Sequence, residues 1–358
     1  MGGKKLKLQG IAAFACATAI STGSASAGGA DLTVFDWSGY EDPGFFASYM
    51  EKYGNEAPSY SYFGSQEEAF TKLSSGFTAD LAHPCSDAVR KWVAADLIQP
   101  LDESKLTNWA DVLPEIKEVD AIVLDGQLYM LPFEWGNTGL IYRTDKISGD
   151  DISLQLLADP AYAGKIAIPD AASSAYALAA LATGNADDYT NLSDEQFKEA
   201  SDFLRSIHPN MRFYWSDAGQ FDQAMTSGEI EFGWAWNQSE LNLIWNEVPA
   251  AMMRDVDKGI ATWACGYVHL KSSTTPVDQV YDLLNALTDP ASGQYIIDNW
   301  GYPHSNAKAF EVADQANIEA YGFSDPKSFF EGSLFFDAVN PELEAKMLAE
   351  FERIKAGF

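Results

Sequence analysis

The stretch Leu32-Thr-Val-Phe-Asp-Trp-Ser-Gly-Tyr40 joins a predicted strand to a predicted helix. Leu32 to Phe35 is apolar and β-branched, as in a buried strand, and Pro43 is typical of a first helical turn. Strand, turn and helix form the first half of a βαβ unit. Because ligands of open α/β sheets bind beyond the carboxyl ends of the strands, Trp37 and Tyr40 are placed to contact a ligand. The alternative is that Trp37 only covers the edge of the sheet.

The rest of the chain alternates short apolar strands with amphipathic helices, which predicts an α/β protein. Asp125-Gly126-Gln127 lies between two short apolar runs and predicts a hairpin. Segment 134–142, with small residues around Trp135, is predicted to be the first crossing between two lobes. The roughly 330 residues that follow the N-terminal segment are enough for two domains.

The N-terminal segment 1–27 has the pattern of a cleavable export signal. Lysines precede an apolar run from Ile11 to Ile20 that is too short to span a bilayer, and Ala25-Ser26-Ala27 is a small-x-small cleavage motif. We therefore expect an exported protein that begins at Gly28. The chain has 52 acidic and 23 basic residues and a net charge of −29, which repels nucleic acid and anionic lipid and favours cations near the surface.

Sequence motifs of common active sites are absent from the chain. It has no G-x-S-x-G nucleophile turn, no Walker A loop and no G-x-G-x-x-G fingerprint, and its four histidines are scattered without metal-ligand spacing. We therefore predict no catalytic residue, no metal site and no cofactor.

Predicted strands repeatedly end in an aromatic or a small polar residue. These ends carry Trp37, Ser38 and Tyr40, then Ser86 and Asp87, Trp135, Asp170, Trp215 and Ser216, Trp236 and Asn237, and Trp263. Aromatic rings with a few carboxylates bind ammonium and alkyl-ammonium groups, at about 0.5–2 kcal/mol per ring. The pattern therefore predicts a binding site for a cation. For Asp87, as for Ser86, the alternative is a cap of the helix that follows.

Two cysteines lie outside the N-terminal segment, Cys85 and Cys265. An even number of cysteines in an exported chain suggests a disulfide, and two buried thiols are the alternative. Nothing in their spacing decides between the two.

Several short motifs follow one another along the chain in a characteristic order: Asp36-Trp-Ser-Gly-Tyr40, Ala79-Asp-Leu81 with Pro84, Leu97-Ile-Gln-Pro-Leu-Asp102, Leu131-Pro-Phe-Glu-Trp-Gly136, Gly228-Glu-Ile-Glu-Phe-Gly233 with Trp236-Asn237, and Gly301-Tyr-Pro303. Together they resemble the periplasmic spermidine/putrescine-binding proteins of bacterial ABC transporters, which belong to the extracellular solute-binding proteins. The resemblance covers nearly all of the chain after the N-terminal segment.

The resemblance implies a two-lobed periplasmic binding protein fold of type II, an α/β fold. Each lobe would be a mostly parallel sheet with flanking helices, and hinge strands would cross between the lobes. Residues 28–136 and 264–309 would form the first lobe, and 137–263 and 310–358 the second. The resemblance also implies a ligand enclosed between the lobes, a periplasmic location, a permease of the inner membrane as partner and a monomeric state.

The resemblance further implies which residues contact the ligand. They are Trp37, Ser38 and Tyr40 from the family's first loop, Trp236 and Trp263 as aromatic walls of the second lobe, and Asp170 and Ser216 as polar positions beside the ligand. In such proteins the aromatic rings hold the methylene chain of a polyamine, and acidic side chains bind its amines.

Several positions depart from the family's pattern. Cys265 stands where the family has an amine-binding aspartate, Cys85 where it has a serine, and Asp87 where it has an aromatic residue. A glutamate expected near Ser173 is missing, and Asp337 stands where the family has an amide. The resemblance places both cysteines at the ligand crevice of one lobe, which favours a disulfide between them. Asp87 and Asp337 are the candidate replacements for the lost carboxylate.

The expected function is capture of a small cationic amine, either a polyamine or a compound with a single ammonium group, and its delivery to an ABC permease. One alternative is an exported hydrolytic enzyme, which would need a nucleophile or an acid/base pair in the cleft. The other is a ligand-binding sensor, which would use the same closure of two lobes and has no separate sequence signature.

Overall fold

The computed structural model describes residues 28–254, 259–325 and 334–358, so the predicted export signal at 1–27 lies outside the described residues. The strands within these ranges are β1 (Thr33–Asp36), β2 (Ser59–Tyr62), β3 (Leu81–Ala82), β4 (Ile98–Gln99), β5 (Val123–Leu124), β6 (Gln127–Leu128), β7 (Leu131–Arg143), β8 (Ile166–Pro169), β9 (Met211–Trp215), β10 (Phe232–Trp236), β11 (Ala250–Met252), β12 (Ala261–Leu270) and β13 (Leu334–Phe335).

The α-helices within the same ranges are α1 (Ala47–Lys52), α2 (Gln66–Ser74), α3 (Ser86–Ala94), α4 (Pro114–Lys117), α5 (Ala172–Thr183), α6 (Asp194–Ile207), α7 (Ala218–Ser227), α8 (Asn237–Trp245), α9 (Val277–Leu287), α10 (Pro290–Trp300), α11 (Ala307–Val312), α12 (Gln315–Ala320) and α13 (Pro341–Lys355). None of the helices in the described part of the chain is long and apolar enough to cross a lipid bilayer.

Two long strands, β7 and β12, form the centre of the sheet. They run antiparallel, with Ala261 opposite Thr138 and Tyr267 opposite Leu131. Beyond β12 lies β3, followed by β1 and β2, and these three strands are parallel. Beyond β7 lies β10, followed by β8 and β9, which are again parallel. The structure is therefore an α/β fold of two lobes with crossing strands between them. The first lobe contains β1 to β3, and the second contains β8 to β10.

Burial along the whole of β7 explains why it can serve both lobes. Leu131 to Tyr142 is buried at every position, because the strand is covered on both faces. The pairing with β12 shifts register between Cys265 and Gly266. A Cβ at Gly266 would lie 2.3 Å from the Leu131 carbonyl oxygen, so this close approach of two strands requires glycine.

Local sequence signals gave two predictions that the structure tests. The predicted hairpin forms between β5 and β6, with positive φ at both Asp125 (52°) and Gly126 (77°), as a tight hairpin turn requires. The predicted cap of α3 is wrong by one position. Cys85, with extended backbone, occupies the N-cap, so Ser86 and Asp87 already belong to the first turn.

Helices from the C-terminal part of the chain pack on both lobes. α13 packs on α5 and α6 of the second lobe, whereas α11 and α12 pack on α10, which contacts the turn at Pro43–Phe45 of the first lobe. The predicted lobe boundaries at 136/137 and 263/264 stay predictions. The predicted boundary at 309/310 likewise stays a prediction.

Candidate ligand-binding site

A cavity of about 370 Å³ lies at the carboxyl ends of the parallel strands of both lobes. Residues that follow or end β1, β3, β8, β9 and β10 all line it, so the topology brings together side chains that are far apart in sequence. Trp37 and Asp170 are examples from opposite lobes.

The cavity collects most of the residues predicted to contact a ligand. Eight of them line it, namely Trp37, Ser38, Tyr40, Asp87, Asp170, Ser216, Trp236 and Trp263. Asp337 is not among the described residues that line the cavity, and its carboxylate accepts a hydrogen bond from the backbone N–H of Ala338 at 2.6 Å. Its neighbour Phe336 lines the cavity instead. A ligand contact of Asp337, like those of the other eight, stays a prediction.

Aromatic rings from both lobes form the walls of the cavity. The rings of Trp37 and Trp236 meet edge to face across the lobes, with centroids 6.1 Å apart, and Trp215 packs edge to face on Trp236 at 5.0 Å. Trp263 packs on Tyr302 in the same way at 5.1 Å. The indole N–H of Trp37 donates to the His83 carbonyl oxygen at 2.9 Å, which fixes the orientation of that ring.

Acidic side chains dominate the polar part of the lining. The carboxylates are Glu67, Asp87, Glu134, Asp170, Asp217 and Asp222. No lysine, arginine or histidine is among the described residues that line the cavity. The same residues include no group of three or more His, Cys, Asp or Glu side chains arranged to hold a metal ion.

Glu134 belongs to a buried chain of charges beneath the cavity. Its Oε1 accepts a hydrogen bond from the Tyr40 hydroxyl at 2.9 Å, and its Oε2 lies 3.2 Å from His83 Nε2. On the other side of the imidazole, His83 Nδ1 lies 2.7 Å from Asp36 Oδ1. Burial disfavours the charged imidazolium, but Glu134 and Asp36 outweigh it and raise the pKa of His83 to about 10. The network therefore carries one positive and two negative charges.

Two further lining carboxylates have partners in the second lobe. Asp170 Oδ1 forms an ion pair with Lys355 Nζ at 2.5 Å, so the last turn of α13 offsets its charge. Asp222 Oδ2 accepts a hydrogen bond from Asn242 Nδ2 at 2.9 Å. Burial nevertheless raises the pKa of Asp222 above the ordinary aspartate value.

The two cysteines lie together on the first-lobe side of the cavity. Cys85 and Cys265 both line it, and the structure joins them by a disulfide, with Cα atoms 3.7 Å apart. The bond links the N-terminus of α3 to the crossing strand β12.

Four lining acids, Glu67, Glu134, Asp217 and Asp222, are missing from the prediction, and Asp217 is the N-cap of α7. Glu67 and Asp222 lie on α2 and α7. The candidates were chosen because they stand at the ends of predicted strands, so positions within helices were not considered. The signal that could have found them is an acid in the first turns of a helix whose preceding strand ends at the cavity. Glu134 lies in the uniformly buried β7, where no alternation of polar and apolar residues marks the face that a side chain occupies.

A two-lobed α/β fold with an aromatic and acidic cavity between the lobes defines a protein that encloses a small molecule. The model of the family described as bacterial extracellular solute-binding protein matches residues 46–322, and the chain belongs to this family.

Relatives of known name extend over almost the full length of the chain. The putrescine-binding periplasmic protein PotF of Escherichia coli is 25% identical, with 98% of each chain covered. The spermidine/putrescine-binding periplasmic protein of Salmonella typhimurium is 26% identical, with 99% of each covered. The solved structure of the spermidine/putrescine ABC transporter substrate-binding protein PotD from Streptococcus pneumoniae has a TM-score of 0.71 at 21% identity, and covers 91% of this chain and 98% of that one. That structural likeness shows the fold.

Proposed function

We propose that this solute-binding protein captures a small cationic amine, either a polyamine or a compound with a single ammonium group, between its two lobes. The observation that supports this most directly is the lining of the cavity. It combines six carboxylates with nine aromatic side chains, and no basic residue is among the described lining residues. Two relatives named as putrescine-binding and spermidine/putrescine-binding proteins add to it.

The arrangement suits a cation for a simple energetic reason. A desolvated ammonium group over an aromatic face gains about 0.5–2 kcal/mol per ring, and a carboxylate adds a charge-assisted hydrogen bond. An anion would meet uncompensated negative charge from both lobes. Because Lys355 and His83 already offset part of the charge of Asp170 and Glu134, the less compensated acids are those nearest α2, α3 and α7.

The proposal includes a partner and a location. Its named relatives are periplasmic proteins, and this protein would also act in the periplasm. It would be exported by cleavage after Ala27, remain a monomer and present the closed lobes to an ABC permease of the inner membrane. Closure couples ligand capture to recognition, because the surface offered by both lobes together exists only when they have closed on the ligand. The ligand would leave chemically unchanged.

Thermal unfolding against a ligand panel tests the proposal. The protein without residues 1–27 is refolded free of ligand, then heated with putrescine, spermidine, cadaverine, choline, glycine betaine, basic amino acids and anionic controls. A ligand at a hundredfold excess over Kd stabilises the native state by about 2.7 kcal/mol. Stabilisation by diamines supports a polyamine, and stabilisation by choline alone supports a single-ammonium ligand. Stabilisation by the anions alone refutes the proposal. Mass spectrometry of the same mixtures should find every ligand unchanged.

A further inference from the structure

A pair of carboxyl groups, Glu67 and Asp87, lies at the first-lobe side of the cavity beside the side chain of Gln66. Gln66 Oε1 accepts the backbone N–H of Cys85 at 2.9 Å, so the amide must direct its NH₂ group elsewhere. That group, Nε2, donates to Asp87 Oδ1. The glutamine therefore satisfies one oxygen of Asp87, and the backbone N–H at the N-cap of α3 holds it in this orientation.

The side chain of Glu67 points towards the second lobe but has few hydrogen-bond donors there. Its Oε1 lies 3.5 Å from the backbone nitrogen of Ser173 on α5, at the limit of a hydrogen bond. Its Oε2 is hidden from solvent and accepts no hydrogen bond from any described residue. A buried carboxylate oxygen without a donor is costly, and an N–H donor carried by a ligand would remove the cost.

The titratable groups that face Asp87 come from several elements. Glu67 on α2 and Glu344 on α13 are acidic, and Tyr189 lies between α5 and α6. Lys91, on α3 itself, is bound to Glu344 at 2.5 Å. Burial, with a smaller contribution from the charge of Glu67, raises the pKa of Asp87 to about 7, although the bond from Gln66 opposes the rise.

We propose that Glu67 and Asp87 form a subsite for an ammonium group that carries N–H donors, and that Asp87, where it is protonated, releases its proton to solvent when this group enters. The inference rests on the proposed function, because it assumes a cationic ligand. The exchange is balanced: the proton leaves the carboxyl group of Asp87 for water, and the N–H donors of the ligand replace it. A primary ammonium has three such donors, as the lysine side chain does, whereas a quaternary ammonium has none and cannot satisfy Glu67 Oε2.

Calorimetric titration of the ligand-stripped protein with putrescine tests the subsite. At pH 7, heats measured in two buffers of different ionisation enthalpy should show release of about half a proton per ligand, because Asp87 is then about half protonated. The amines of putrescine stay charged between pH 6 and pH 8, so the Kd should fall by about tenfold over this range as Asp87 loses its proton.

Two variants and a matched control assign the effect. Asp87→Asn should abolish both the proton release and the pH dependence, and weaken binding by about ten- to a hundredfold; Glu67→Gln should weaken it similarly. Glu51→Gln removes an exposed acid on α1 and should behave as the wild type. Choline should bind more weakly than putrescine and release no proton.

The outcomes separate the inference from the proposed function. Tight putrescine binding without proton release, or choline binding equal to that of putrescine, overturns the subsite and leaves a cation-binding protein. Binding of anionic controls with neither cation bound overturns both.

Discussion

Replacing His83 with glutamine should destabilise the protein strongly near pH 6 and weakly near pH 9.5. The imidazole is fully buried between Asp36 and Glu134, and its ring stacks on Tyr267 with centroids 4.2 Å apart. Glutamine retains hydrogen-bonding capacity but not the positive charge. Two buried carboxylates would then face each other without a cation between them.

The magnitude follows from the proton affinity of His83. A rise in pKa from 6.5 to about 10 corresponds to about 5 kcal/mol, at 1.36 kcal/mol for each tenfold change. Removal of one partner from a buried ion pair costs about 3–5 kcal/mol, which agrees. Because the folded pKa lies above the unfolded one, this stabilisation is complete below about pH 6.5 and is lost as the pH rises towards 10. We therefore expect a cost of about 4 kcal/mol at pH 6 and about 1 kcal/mol at pH 9.5.

Urea unfolding of the wild type and the variant at both pH values measures this difference. His208→Gln is the control, because that histidine is half-buried in the second lobe and bonds to the Tyr214 hydroxyl at 2.8 Å, away from the cavity network. A cost of His83→Gln that is equal at the two pH values, or larger at pH 9.5, would show that the imidazole is neutral in the folded protein. The charge network described here would then be incorrect.

Three further predictions concern the disulfide, an aromatic wall of the cavity and the glycine that ends α10. Thiol titration of the denatured, unreduced protein should find neither Cys85 nor Cys265 free, and two reactive thiols would contradict the bond in the structure. Trp236→Ala should raise the Kd for putrescine by about tenfold in calorimetry, because one aromatic face is lost; an unchanged Kd would remove this ring from the site. Gly301→Ala should lower the free energy of unfolding by about 3 kcal/mol or more, since φ is 68° and the new Cβ would lie 1.7 Å from a leucine side-chain carbon. Gly184→Ala, with φ of 76° and open space, should cost only about 1–2 kcal/mol, and equal costs would refute the steric argument.

Much of the fold could be predicted from local sequence signals. The strand from Leu32 to Phe35, the hairpin at Asp125-Gly126 and the helix that begins after Ser193 each carry their signal within a few residues. The meeting of strand ends at one cavity also follows, because parallel strands bring their carboxyl ends to one edge of the sheet. Cavity-lining positions such as Trp37 and Trp236 could therefore be predicted from the sequence.

Contacts that depend on packing between distant segments could not be predicted in this way. Lys355 is 185 residues from Asp170, and no pattern in the sequence of α13 indicates which acid its last turn will meet. Glu67 is one of three neighbouring polar residues on α2, and only the assembled lobes decide that it faces Ser173 while Glu68 faces solvent. The resemblance to known proteins, rather than the spacing of 180 residues, favoured the pairing of the cysteines.

The chemical state of the ligand cavity depends on the host in which the protein is produced, because the cavity contains the disulfide. Cys85 and Cys265 line the ligand cavity, so a chain produced in a reducing cytosol would carry two thiols there instead of one inert bond. Thiolates are nucleophiles and metal ligands, and an alkylating reagent or an adventitious soft metal would then attach inside the site. One sequence would give two proteins with different ligand preferences, according to the compartment in which it folded.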